Sequence, residues 1–202
     1  NADRSRFNQG GFDWSSGPID TGAPLSEDYD QIENAQPNPV VADLDGDGLK
    51  EILFTSYDGK MHAFWLDKTE HGNWPYDVNI PGEGFYRLAS EPVVGDLNDD
   101  SKAEVIFTSW VEKGTGKTGR LYILDYQGNL LHEVELPPAF NADWNGALAA
   151  PTLANIDSDP DFELVVNTAH SGVVAYDLPA TASARIIWST GRGNYRRDGY
   201  LP

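Results

Sequence analysis

The sequence has no cysteine among its 202 residues, which removes disulfides, thiolate metal sites, cysteine nucleophiles and thioether haem attachment together. It is also short of base. Against 32 Asp and Glu stand 14 Lys and Arg, a formal charge of −18, and a field of that sign repels nucleic acid and anionic membrane surfaces. No apolar run approaches the roughly 20 residues of a membrane-spanning helix, and no segment shows a convincing helical period. There is no Gly-x-Ser-x-Gly elbow, and His62, His71, His132 and His170 share no metal-binding spacing. What is present suffices for a core. With 40% apolar and 11% aromatic residues the acidity does not signal a disordered chain, and the length suits one folding unit. The chain starts at Asn1 with neither an initiator Met nor a signal-peptide pattern, which reads as a processed or excised product.

Three segments align without a gap: Pro39 to Ser56 (PVVADLDGDGLKEILFTS), Pro92 to Ser109 (PVVGDLNDDSKAEVIFTS) and Pro151 to Thr168 (PTLANIDSDPDFELVVNT). Their starts lie 53 and 59 residues apart, a period suited to a propeller blade of four short strands. Each unit opens with an apolar run and an acidic loop. A second run follows (Ile52 to Ser56, Val105 to Trp110, Leu164 to Thr168), then a third after a turn (Met61 to Trp65, Leu121 to Leu124, Val173 to Tyr176). Asp58-Gly59 between two such runs is a hairpin signal, because a tight primed turn needs positive φ. A weaker fourth run ends each unit: Val78 to Ile80, Leu130 to Leu136 and Arg185 to Trp188. The expectation is an all-β chain, a β-propeller segment of four-stranded antiparallel blades, about three blades and a partial one, spanning 1–202. Residues 39–80, 92–136 and 151–190 are the blades and 191–202 a closing tail. Trp14-Ser15-Ser16-Gly17 echoes Trp188-Ser189-Thr190-Gly191, so the leader, 1–38, reads as holding the outer strand of a preceding blade. Three blades and a fragment do not close a ring; further blades of a larger propeller, or a second chain, are expected partners.

The chemistry lies in the acidic loops. Numbering each from its first ligand, positions 1, 3, 5 and 9 are Asp43, Asp45, Asp47 and Glu51 in the first loop. They are Asp96, Asn98, Asp100 and Glu104 in the second, and Asn155, Asp157, Asp159 and Glu163 in the third. Oxygen ligands alternating along a curled loop converge on one point, and calcium, a hard cation, takes six to eight of them. The position-7 residues, Leu49, Lys102 and Asp161, would add a carbonyl each. An EF-hand is excluded, because its position-12 carboxylate is replaced by Phe54, Phe107 and Val166. The first loop, with three Asp, a Glu and Gly48 at position 6, is expected to bind most tightly. The second has a neutral Asn98 and Ser101 at position 6. Pro160 at that position in the third forbids a left-handed turn, so that site should be weaker or differently shaped. Three bound calcium ions would bring the net charge to −12 and couple folding to metal.

Apolar strand, D-x-D-x-D-G-x-x-E loop, apolar strand and D-G hairpin together closely resemble the FG-GAP and VCBS-type repeat of bacterial cell-surface proteins and of the integrin α-subunit propeller, over roughly residues 35 to 190. The tail WSTGRGNYRRDGY, Trp188 to Tyr200, is similar to the segment that often ends such propellers. The resemblance implies calcium at Asp43, Asp45, Asp47 and Glu51 and at their aligned counterparts, with departures at Asn98, Asp99, Asn155 and Pro160. It implies an extracellular, cell-surface or periplasmic setting. It does not fix an activity. The reading favoured is a non-catalytic calcium-binding module that meets a protein or glycan partner, with the propeller part of a secreted polysaccharide lyase or quinoprotein-like dehydrogenase as the alternative.

Three further features have a plain reading beside a functional one. Gly114-Thr-Gly-Lys-Thr118 looks like the end of a phosphate loop but leads into a strand. Arg192, Arg196 and Arg197 either pair with nearby carboxylates or dock an acidic partner. Trp65, Trp74, Trp110 and Trp144 either pack between blades or stack on sugars.

Overall fold

A computed structural model describes residues 38–56, 58–111, 115–139 and 144–196; the leader, the Trp14 motif, Gly114 and Arg197 lie outside them. The described residues form strands and no helix, so no helix is long and apolar enough to cross a membrane. The first unit builds a four-stranded sheet in chain order from β1 (Val40–Ala42), β2 (Glu51–Thr55), β3 (Lys60–Phe64) and β4 (Tyr76–Asp77), with every pairing antiparallel. Asp58-Gly59 turns β2 into β3 with Gly59 at φ +79°, where a Cβ would meet Arg87 O at 2.5 Å. The fourth run starts at Tyr76 and not at Val78. Asp77 then accepts the Asn79 N–H at 2.9 Å and bends the chain off the sheet.

The second unit supplies β5 (Arg87–Ala89), β6 (Val93–Asp96), β7 (Glu104–Val111), β8 (Arg120–Leu124) and β9 (Leu130–Glu135). Strand β7 is long enough to pair β6 with its first half and β5 with its second. The third unit gives β10 (Thr152–Ala154), β11 (Phe162–Asn167) and β12 (Val173–Leu178). Its fourth run, β13 (Arg185–Trp188), does not pair with β12. It crosses to the free edge of β6, so the second sheet has six strands and the third only three. The reason is burial. All four residues of β6 are buried, so its open edge needs a backbone partner. Strand β12 alternates exposed and half-buried residues, so water can satisfy its edge. The antiparallel sheets therefore hold three, four and six strands, and the expected four per unit applies to the first alone.

The six-stranded sheet is the middle layer, and its period-two alternation feeds two cores. Val94, Val105, Phe107, Tyr122 and Leu124 pack with the first unit's Val40, Leu53, Met61, Trp74 and Val78. Val93, Ile106, Leu121 and Ile123 pack with Leu153, Leu164 and Val166 of the third. Strand β13 joins the two, placing Trp188 in the first core and Ile186 against the second.

Candidate metal centres

Each acidic loop connects the first two strands of a repeat: β1 to β2, β6 to β7, β10 to β11. The position-9 glutamate begins or sits near the start of the second strand with its side chain turned back into the loop. Glu51, Glu104 and Glu163 are all buried. In each, Oε2 accepts the backbone N–H of position 2 (Leu44, Leu97 or Ile156) at 2.7 Å. That repeated bond closes each loop. Oε1 of Glu51 and Oε1 of Glu163 are buried and accept no hydrogen bond, a costly condition for a carboxylate oxygen. Burial, reinforced by Asp45, Asp43 and Asp47 and partly offset by the Leu44 N–H, pushes the Glu51 carboxyl up to about 7. Burial likewise raises Glu104 to about 7, against the Leu97 N–H and with Asp100 and Asp96 adding to the rise.

Ligand atoms of Asp43, Asp45 and Glu51 all lie within 4.8 Å of one another, and so do those of Asp157, Asp159 and Glu163. Among the described residues, Asp96, Asp100 and Glu104 form no such group. Asp47 and Asp100 instead hold their own loops, accepting the N–H of Leu49 at 2.7 Å and of Lys102 at 2.8 Å. The Asn98 carbonyl oxygen accepts the Asp100 N–H at 3.0 Å. Asp161 accepts the Ala180 N–H beyond β12 at 3.0 Å.

Positions 1 and 6 vary together. In the first loop Asp43 accepts the N–H of Gly46 at 2.8 Å and of Gly48, position 6, at 3.0 Å. In the second, Asp96 accepts the N–H of Asp100 at 3.1 Å and of Ser101, position 6, at 3.0 Å. Positions 4 and 6 are left-handed in both loops: Gly46 (+78°) and Gly48 (+86°), Asp99 (+59°) and Ser101 (+69°). Pro160 has no N–H to offer and cannot reach that conformation. Position 1 is there a neutral Asn155, whose Nδ2 donates to the carbonyls of Asp159 at 2.7 Å and Asp161 at 3.0 Å. The third loop is shaped differently, and its position-7 carbonyl faces an amide.

The first two loops touch. Ala103 N–H donates to Leu44 O at 2.9 Å, and Lys102 lays its ammonium over the Tyr126 ring at 4.2 Å while reaching Asp45 O at 3.3 Å. Trp65 Nε1 donates to Asp45 Oδ2 at 3.0 Å and so holds that carboxylate in place; nothing in the spacing of residues 20 apart announces this. Of the four tryptophans in question, Trp65, Trp74 and Trp144 are buried. Trp74 and Trp144 spend their N–H groups on the carbonyls of Tyr126 and Val111, which is packing and not a sugar platform. Residues 115–118 run into β8 as loop, with Thr118 O accepting from Arg87. The backbone N–H of Arg192 meets Glu91 Oε1 at 3.2 Å.

The residue chemistry fits a hard cation. All donors are oxygens, several are already held by backbone N–H groups, and two buried carboxylate oxygens lack a partner. No curated protein and no solved structure matches the chain. Residues 43–107, from the first acidic residue of the first loop to the strand beyond the second, match the family model of the FG-GAP-like repeat, and the chain therefore carries an FG-GAP-like repeat across that stretch.

Proposed function

We infer that this chain is a non-catalytic calcium-binding module of propeller type, working outside the cytoplasm, whose ordered loops present a protein- or glycan-docking surface. The observation that carries the reading is the buried, unpartnered Glu51 Oε1 gathered with Asp43 and Asp45. Three acidic groups in that space repel unless a positive charge joins them, and calcium would supply that charge together with coordination of six to eight oxygens. The chain does the rest. Glu51 ties strand β2 to Leu44, Trp65 orients Asp45, and the Asp43 carboxylate holds the loop's curl. The third loop offers a second site through Asp157, Asp159 and Glu163. The extracellular setting follows from calcium supply and from the family's usual placement.

On catalysis, carboxylates held ionised by a cation are poor proton carriers. Thermal melts in calcium, in magnesium and in chelator test the assignment, beside calorimetric titration. Melting is expected to rise in calcium well above the other two conditions, and Asp45→Ala is expected to shrink that gain. Identical curves in calcium and chelator would overturn the reading.

A further inference from the structure

Three of the chain's 14 Lys and Arg meet at the end of the middle sheet where β8 begins. A polar pocket of about 330 Å³ is lined there by Glu83, Arg87, Lys117, Thr118, Arg120 and Glu135. In a chain of charge −18, this lining sets three cations against two carboxylates. Arg87 opens β5 and is 1% exposed. Its Nε and Nη2 donate to the two oxygens of Glu83 at 2.7 and 2.9 Å, and its Nη1 donates to Thr118 O at 2.9 Å. A guanidinium carries five N–H donors, so two of them have no acceptor among the described residues. Arg120 gives its Nη groups to Glu133 and Glu135, and its Nε is buried without a partner. Lys117 is exposed and forms no ion pair with a described carboxylate. The frame is firm. Gly119 N–H donates to Asn145 O and Leu136 N–H to Gly119 O, both at 2.9 Å, and Thr118 bridges Asn145.

We propose that this pocket takes the carboxylate of an acidic sugar residue, a uronate, on Lys117 and the two spare Arg87 donors, with Glu135 accepting from the sugar's hydroxyls. Charge selects the anion. One negative charge cancels the excess of the lining, whereas a phosphate, at about −1.5 to −2, would crowd Glu83 and Glu135. Guanidinium and ammonium donors bind a carboxylate through charge-assisted hydrogen bonds. The sugar follows from Glu135, whose side chain is 71% exposed and whose Oε1 lies 3.5 Å from Arg120 Nη2. That contact leaves acceptor capacity for hydroxyl groups, which a sugar ring brings and an Asp or Glu side chain does not. The volume is at the low end for ligand pockets, about 300–1,000 Å³, and suits a single ring. Polymers dense in negative charge are repelled by the field of the whole chain. This inference rests on the glycan side of the docking surface proposed above and makes no use of calcium.

Titration of the full chain with methyl glucuronide, methyl glucoside, inorganic phosphate and N-acetylglutamate amide, followed by NMR, tests the assignment. The glucuronide is expected to bind saturably and at least about tenfold more tightly than the other three. Lys117→Gln, at an exposed position, should weaken it about tenfold. Glu135→Ala gives the sharper reading, because it removes a negative charge. Charge attraction alone would then tighten both carboxylate probes, whereas loss of a hydroxyl acceptor weakens the glucuronide and leaves the acetylglutamate amide as it was or tighter. Equal binding of glucuronide and glucoside, a phosphate or peptide probe that matches the glucuronide, or unchanged affinity in Lys117→Gln overturns the proposal. Melting in calcium and in chelator, read on the same samples, keeps the two readings apart. Absent sugar binding with the calcium gain intact defeats this inference alone, and a missing calcium gain with sugar binding intact defeats only the metal assignment.

Discussion

The first and third repeat units start from the same eighteen-residue pattern, Pro39 to Ser56 and Pro151 to Thr168, and diverge at both ends of the site. The first ends in a sheet edge of its own, with Trp74 and Val78 buried against the middle layer. The third surrenders its fourth run to β6 and leaves Tyr176 half-buried over a cleft. In the loops, Asp43 grips the position-6 N–H, while Asn155 bridges carbonyls around a proline. A repeat therefore sets a hairpin and a spacing of acidic side chains. What surrounds each copy decides how far it is finished.

That contrast is most easily broken in the cores. Trp74→Ala removes a buried ring and leaves the Tyr126 carbonyl without its donor; a cost of about 3–5 kcal/mol is expected from urea denaturation. Tyr176→Ala, at a position with solvent already beside it, should cost about 1–2 kcal/mol. Equal costs would mean that the third unit is as well covered as the first.

Next come the glutamates. At calcium about 100 times the dissociation constant, one site stabilises the fold by about 2–3 kcal/mol. Glu51→Gln should lose most of that while keeping an oxygen for the Leu44 N–H. In chelator the same variant should be more stable than the parent, because a buried anion beside Asp43 and Asp45 has gone. Glu163→Gln should behave alike, with a smaller calcium-dependent loss. The sign reversal between the two buffers, followed by melting temperature, separates a metal ligand from an ordinary hydrogen-bonded carboxylate.

Smaller again is the effect of exchanging loop chemistry. Asn155→Asp with Pro160→Gly restores the acid and the N–H that the first loop uses, and should raise calcium affinity of the third site about tenfold, or about 1.4 kcal/mol. Asp43→Asn with Gly48→Pro should lower the first by a like factor, read by calorimetry.

Much of this was legible from local signals. Alternating apolar runs mark β2, β3, β8 and β11, Asp58-Gly59 marks a hairpin, and the spacing of the acidic loops marks the carboxylates that gather in the first and third of them, because each depends on neighbours in the chain. The destination of β13 was not legible. Its choice between β12 and β6 turns on which edge is buried, a property of the assembled layers. The same holds for Trp65 on Asp45 and for Lys102 reaching the neighbouring loop. The linkage of positions 1 and 6 was half visible: proline's missing N–H is in the sequence, but the carboxylate that needs it is not.

A further difference between the two units, most gradual in its readout, lies in their third strands, where His62 occupies the place of Val174. His62 is buried, stacked on Phe54 with centroids at 4.9 Å, and its two ring nitrogens face Glu70 Oε1 at 3.0 Å and Asp58 Oδ2 at 3.3 Å. Burial alone would lower its pKa, but the hydrogen bonds and charges of Asp58 and Glu70 outweigh it and raise the imidazole to about 9. A group protonated more readily in the folded state adds stability that is whole below its unfolded pKa, about 6.5, and is lost as pH rises through about 9. The slope can reach at most about 1.4 kcal/mol per pH unit, the limit for one proton. Denaturation midpoints should therefore fall between pH 7 and 9 in the parent, in calcium or chelator alike. In His62→Gln, which keeps one donor for a carboxylate, the decline should flatten. A parent curve that stays level over that interval would show that the imidazole is neutral between its two acids.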